Sequence, residues 1–148
     1  MTKELGLVLL ATLSPISELR GGIPLGILKF ELDPVLIFFV AVAANIVIFF
    51  PVFAALRVFY DKVLFRIPLF NRYLESLRKR GKPMVDRYGF WGLLLFVAVP
   101  LPFTGAYTGT ILAWLLDMDW RRAFLAVALG VTIAGLLVLL LALGVAGA

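Results

Sequence analysis

Glu18 and Arg20 stand inside the apolar stretch LSPISELRGGIPLGILKF, Leu13 to Phe30, together with Pro15 and Pro24. A carboxylate and a guanidinium two residues apart and withdrawn from water can do several kinds of work. They can pair with each other, or with exposed backbone, and hold a turn in shape. Alternatively the guanidinium can bind an anion while the carboxylate takes up or releases a proton, or the carboxylate can attract a cation. An uncompensated charge at the centre of a bilayer costs ~2.5–3.5 kcal/mol on insertion scales, so the two residues must be paired, solvated or functional. A second stretch, VPLPFTGAYTG from Val99 to Gly109, is uncharged but polar. Thr104, Tyr107 and Thr108 bring hydroxyls there, Ser17 brings another to the first stretch, and Pro100 and Pro102 release carbonyls from helical bonding. Gly105 and Gly109, like Gly21 and Gly22, allow close approach at a polar tip, or serve only to pack helices tightly.

The surrounding chain decides where such residues work. It has 148 residues, 63% of them hydrophobic and 16% charged, and a mean hydropathy of +1.06. That composition excludes a soluble globular domain and predicts an all-α integral membrane protein. Val35–Leu56 and Ala123–Val145 each exceed the ~20 residues a helix needs to cross the hydrocarbon. The chain has neither His nor Cys, which removes Ser-His and Cys-His catalysis, the usual zinc and haem ligands, thiol redox and disulfides. No metal site, no cofactor and no enzymatic activity are therefore expected. Lys3 followed by Glu4, with no small-residue cleavage pair after Leu5–Leu13, predicts a retained N-terminus rather than a secretory leader.

Two halves share an order of features. At an offset of 84 positions, Gly21 falls on Gly105, Ile27 on Ile111, Leu28 on Leu112, Phe30 on Trp114, Leu32 on Leu116 and Asp33 on Asp117. In each half a proline-bearing break is followed by a long apolar run. Leu5–Leu13, Gly21–Lys29, Phe90–Val99 and Gly109–Leu116 are individually too short to span, which fits re-entrant hairpins whose irregular tips are buried in protein or line a cavity. The predicted plan is a single membrane domain, 1–148. Repeat 1 occupies 1–57, with a hairpin at 4–31 and a transmembrane helix at 34–57; repeat 2 occupies 88–148, with a hairpin at 88–117 and a transmembrane helix at 120–145. An odd number of crossings per repeat makes the two copies inverted. The rival plan treats 4–30 and 88–116 as kinked full spans, giving four crossings, parallel repeats and Arg121 and Arg122 outside. Asn45 and Pro51 interrupt the first long run; Asn45 is a candidate for the lining of a polar path. Asp33-Pro34 and Asp119 read as helix starts, and Glu31 and Asp117 likewise as helix-end residues rather than catalytic carboxylates.

Between the repeats, residues 58–87 form a basic linker. From Arg57 to Arg87 there are nine basic residues against Asp61, Glu75 and Asp86, which places the segment in the cytoplasm by the positive-inside rule. Phe70, Tyr73, Leu74 and Leu77 recur at helical spacing, opposite Arg72, Glu75, Arg78 and Lys79, with Gly81 as the expected stop. The expected helix lies on the inner membrane surface, its Arg72, Arg78, Lys79, Arg80 and Lys82 each contributing about 1 kcal/mol against anionic headgroups. Membrane lipids, rather than nucleic acid, are the expected partners, and the small core of one chain leaves a homodimer as the expectation.

PISELRGGIPLG and PLPFTGAYTG together resemble the bacterial and archaeal small multidrug export family, over nearly the whole chain, and more distantly the DedA (VTT-domain) superfamily. The DedA element proline-x-Ser/Gly-Glu matches Pro15-Ile16-Ser17-Glu18, which carries the functional carboxylate onto Glu18. That resemblance implies inverted re-entrant repeats and movement of lipid-linked phosphates across the membrane, or scrambling of lipids, with the proton-motive force involved. DedA-like second hairpins carry arginines around the proline, whereas FVAVPLPFTGAYTG has none. The functional expectation is a transporter or lipid translocase of the inner (cytoplasmic) membrane, coupled to protons and moving an anionic lipid phosphate or small anion. Its alternatives are a proton-coupled exporter of hydrophobic cations, with Glu18 set among Phe103, Tyr107 and Trp114, and a lipid-binding scaffold that transports nothing.

Overall fold

A computed structural model describes residues 1–100 and 104–147, and among them the regular structure is entirely helical. In chain order the helices are α1 (Thr2–Leu13), α2 (Glu18–Pro24), α3 (Pro34–Val47), α4 (Phe49–Phe59), α5 (Pro68–Tyr88), α6 (Phe90–Ala98), α7 (Ala106–Leu115) and α8 (Trp120–Gly147). Helix α2 starts at Glu18 rather than at Gly21, so the first turn shrinks to Ser14–Ser17 and Glu18, Arg20, Gly21 and Gly22 all lie on the helix. It continues into a π-helical turn, Leu25–Lys29. Pro24 has no N–H for the carbonyl of Arg20 four residues earlier, and the helix widens just beyond it. The second short helix likewise begins earlier than Gly109, at Ala106.

Helices α3 and α4 make one apolar rod, Pro34–Phe59. Asp33 starts it, its Oδ1 accepting the Leu36 N–H at 2.8 Å with Pro34 in the first turn. The break at Ile48 has a cause three residues later. Pro51 cannot donate to the carbonyl of Val47 and its ring crowds that oxygen. Together with α8, this rod is one of two helices among the described residues long and apolar enough to cross a membrane.

Helix α8 is the hub, packing on α2, α3, α6 and α7. Its buried face is built of small residues, among them Ala123, Ala126, Gly130, Ala134 and Gly135, while Leu125, Leu129, Leu136, Leu140 and Leu143 are exposed. Large apolar side chains outside and small ones inside invert the soluble pattern and suit helices that associate by close backbone approach in lipid. A Cβ on Gly130 would lie 2.9 Å from the carbonyl oxygen of Leu94, and one on Gly135 would lie 2.7 Å from Val42 Cγ2.

Helix α5 departs from the sequence expectation. It runs through Gly81 and Pro83 to end at Gly89, whose φ of 60° terminates it. Gly81 is a contact rather than a stop, because a Cβ there would come within 2.2 Å of Leu112 Cδ2 on α7. Leu74, Leu77, Gly81 and Val85 are buried, and the helix packs on α6 and α7. Its apolar stripe therefore covers the protein, while Arg72, Arg78, Lys79, Arg80 and Lys82 remain on the exposed face.

The contact between α5 and α6 gives a direct test. A Cβ on Gly92 would sit 2.2 Å from the backbone oxygen of Met84, whereas one on Gly6 would meet nothing within 4 Å. Gly92→Ala is expected to lower stability by about 1–3 kcal/mol through overpacking, and Gly6→Ala to leave it unchanged or raise it by up to about 1 kcal/mol through helix propensity. Thermal unfolding of the two variants in detergent, compared with wild type, checks both signs.

Candidate functional site

The first tip is wound tightly enough to present Glu18 outward from the end of α2. Glu18 N–H donates to the Ser14 carbonyl at 2.9 Å, and Ser17 Oγ donates to the Ala11 carbonyl at 2.5 Å, an acceptor left open by the end of α1. Helices α1 and α2 close on each other at Gly22, where a Cβ would strike Thr12 Oγ1 at 2.0 Å. Glu18 itself has a φ of 50°, a left-handed conformation that costs a residue with a side chain roughly 1–2 kcal/mol. Such strain persists where the surroundings hold the residue in place.

What holds it is the start of α7. Glu18 Oε2 accepts the N–H of Ala106 at 3.0 Å and Oε1 accepts the N–H of Tyr107 at 3.2 Å. These are the first two N–H groups of the helix, and α7 has no capping side chain of its own. A carboxylate that is only 5% exposed is thus compensated by two backbone donors and the positive end of a helix dipole. Gly105 leaves the room for it, since a Cβ there would lie 1.7 Å from Glu18 Oε2.

Two further links tie the two tips together, and a third bond braces the second tip. Arg20 Nη2 donates to Thr104 Oγ1 at 2.9 Å, and Thr104 Oγ1 donates to the Val99 carbonyl at 2.7 Å. Tyr107 reaches back with its hydroxyl to donate to the Leu13 carbonyl at 2.6 Å. Thr108 turns its hydroxyl onto the Gly105 carbonyl at 3.0 Å, which keeps it within α7. Gly109 serves packing, its missing Cβ lying 2.4 Å from Val97 Cγ2 on α6. Glu18 and Arg20 are not an ion pair; those among the described residues are Met1 N-terminus with Glu4, Glu75 with Arg78, and Asp86 with Lys82.

Asn45 of α3 completes the cluster from beneath. It is 1% exposed and faces Glu18 across a cavity of about 10 Å³, lined also by Arg20, Val97, Gly105 and Ala106. That volume is about one water's worth and far below that of a solute site. Asn45 Oδ1 has no hydrogen-bond partner among the described residues. A protonated Glu18 would carry the O–H donor that this oxygen lacks, while keeping less acceptor capacity for α7.

The structure therefore brings Ser17, Glu18, Arg20, Asn45, Thr104 and Tyr107 into one polar junction. Pro100 stands nearby, lining with Arg20 a separate, largely apolar cavity of about 260 Å³. Pro102 and Phe103 lie outside the described residues, and the basic residues of α5 form a separate surface. Sequence reasoning named Tyr107 for its hydroxyl and missed the backbone N–H groups of Ala106 and Tyr107. A signal was present: GAYTG opens an apolar helix with glycine at the capping position, which supplies no capping side chain and leaves its first N–H groups open to an acceptor from elsewhere in the chain.

A family model described as "Putative small multi-drug export protein" matches residues 18–137, most of the chain, from Glu18 through the second tip. Comparison with curated proteins and with solved structures returned no match.

Because the Gly105 position and the Glu18 carboxylate compete for the same space, their substitutions should act as one. Gly105→Ala and Glu18→Ala are each expected to destabilise the protein by about 2–4 kcal/mol, through loss of charge-assisted bonds and desolvated N–H groups. The double variant is expected to cost little more than either single. Urea or thermal unfolding of the three variants in detergent reads this; full additivity would show that the two residues act independently.

Proposed function

This chain belongs to the small multi-drug export family, and on that premise we propose that it is a proton-coupled membrane transporter of hydrophobic solutes in which Glu18 is the proton-exchanging carboxylate. One observation carries the proposal: a buried carboxylate from one helical pair is held by the first two N–H groups of a helix in the other. Charged, Glu18 clasps α7. Protonated, it turns its new O–H to Asn45 and weakens its hold on Ala106 and Tyr107. Two charge-assisted bonds changed in this way are worth about 3 kcal/mol, enough to move a two-state equilibrium on the order of a hundredfold. Opening at this junction would enlarge the small cavity around Glu18 into a path for solute.

Several features support the membrane plan behind this reading. Each half of the chain contributes two short helices and a long one, α1–α2 with α3–α4 and α6–α7 with α8. Arg20 and Thr104, which bond to each other, are counterparts at the 84-residue offset between the halves. A pseudo-twofold relation brings equivalent positions into contact only near its axis, which is where inverted-repeat transporters place their sites. In this plan both helical pairs are re-entrant and the tips meet near the midplane. The exposed basic face of α5 lies on the cytoplasmic side of the inner membrane.

A second reading, translocation of an anionic lipid phosphate, draws on a specific observation. Arg20 and Pro100 stand at the apolar cavity of about 260 Å³ that runs along Pro24, Leu28 and Val138, so a phosphate on Arg20 would leave its chain against apolar walls. Proteoliposomes with an imposed pH gradient separate the readings. A fluorescent lipophilic cation is expected to accumulate with wild type, and its initial rate to fall about tenfold or more, or roughly 1.4 kcal/mol in barrier, with folded Glu18→Gln. Movement of a spin-labelled lipid phosphate alone would replace the export reading by the translocase. Neither probe moving above protein-free liposomes would overturn transport altogether and leave a scaffold.

A further inference from the structure

At the opposite end of α7 from Glu18, about 15 Å away along ten residues of helix, two adjoining cavities of about 350 and 520 Å³ share Phe53, Arg57 and Trp120. Both fall in the size range of small-molecule sites. The first is polar, with Asp117, Asp119 and Arg57 on its walls beside Trp114. The second is apolar and runs along α4 past Phe49, Phe50 and Val58. One end therefore offers two anions and a cation, and the other an aromatic channel. None of the three charges is in an ion pair among the described residues.

We propose that this groove binds an aminophospholipid, with the phosphate on Arg57, the ammonium between Asp117 and Asp119, and an acyl chain along Phe49, Phe50 and Phe53. Charge complementarity selects this occupant. An anionic lipid would satisfy Arg57 and leave two carboxylates facing its head. A lipophilic cation would satisfy the carboxylates and meet Arg57. A zwitterion with both charges on one short head uses all three. The choice of a primary amine over a quaternary ammonium follows from the rings. Quaternary ammonium groups are recognised by aromatic faces, but Arg57 lies over the Phe53 ring at 6.0 Å and Arg121 over Trp120 at 5.5 Å. The carboxylates remain as hydrogen-bond acceptors, which a primary ammonium can use and a trimethylated one cannot. Trp114, Trp120 and Tyr60, which packs edge-on to Trp114 with centroids 4.7 Å apart, form the aromatic belt expected where headgroup meets hydrocarbon. The site rests on the membrane reading above and is independent of what Glu18 transports.

The groove contains its own reporters. Of the three tryptophans, Trp114 and Trp120 line it, and Trp91 lies on α6 with 64% exposure. Full-length Trp91→Phe protein, reconstituted with acyl-brominated phosphatidylethanolamine, phosphatidylcholine or phosphatidylglycerol, shows by fluorescence quenching which lipid occupies the groove. Quenching by the ethanolamine lipid is expected to exceed that by the other two about threefold at equal mole fraction, the size that one or two exposed charge contacts support. Asp117→Asn with Asp119→Asn, or Arg57→Gln, is expected to bring the three lipids to equality. The two asparagines preserve the local backbone, because Asn accepts the φ of 60° at Asp117 and caps a helix as well as Asp does. Equal quenching of the unsubstituted groove by all three lipids would overturn the headgroup site while leaving the membrane placement standing. A preference that survives both sets of substitutions would overturn the assignment to these residues. Quenching by none would overturn the membrane placement, and the site with it.

Discussion

The two hydrogen bonds from the Ala106 and Tyr107 N–H groups to the Glu18 carboxylate are the constraint on which the other features of the junction depend. A buried carboxylate needs compensation, and here its direct hydrogen-bonding partners are the N–H groups at the start of a helix rather than a paired cation. That choice fixes several other residues. Position 105 must lack a Cβ, because the carboxylate occupies its place. Glu18 must adopt an unfavourable backbone angle to aim its side chain across the gap. Arg20, relieved of pairing with Glu18, is available to bond Thr104. The same two bonds also satisfy donors at the start of α7 that no side chain of that helix caps.

Such a junction requires the short helices to be delivered close together, and that is a matter of small residues. The buried stripe of α8 lets the α6 backbone approach at Gly130 and α3 side chains seat on Gly135, while Gly22 and Gly109 allow close approach inside each helical pair. In lipid there is little hydrophobic gain in associating helices, so dispersion contacts at close range and polar links across the interface carry the association. Tyr107 on the Leu13 carbonyl and Arg20 on Thr104 are links of this kind. They connect residues far apart in sequence, and so they brace one half of the chain against the other.

Much of this was legible in the sequence, for physical reasons that differ by residue. Glu18 and Arg20 stood out because charge in an apolar run has few explanations. Asp33-Pro34 was readable because both cap and proline act locally, and the long helices were readable from composition alone. Local signals failed where a partner distant in sequence decided the outcome. Gly81 looked like a stop but is the landing site of Leu112, so α5 continues through it. Helix α2 begins at Glu18 rather than at the glycine pair because the contact with α7 holds Glu18 in a conformation its own propensity disfavours. The apolar face of α5 had the right period for a helix, but period does not tell lipid from protein as the surface it covers. The break at Ile48 was foreshadowed by Pro51, whose effect falls on the preceding turn.

Helix α7 connects the two regions where polar groups gather. Its N-terminus is held by Glu18, and the turn after its C-terminus contributes Asp117 to the groove beside Arg57 and Trp120. Ten residues of helix transmit displacement rather than absorb it, since each turn is tied to the next by backbone hydrogen bonds. The flanks of α7 limit what displacement is available. Leu112 is locked over Gly81, and Val97 over Gly109, so a slide along the axis would meet both contacts, whereas a tilt about that middle region would disturb them least. A tilt at the level of Leu112 and Gly109 would carry Trp114 and Asp117 along with the Ala106 and Tyr107 N–H groups. Glu18 and the groove thus bear on opposite ends of the same helix.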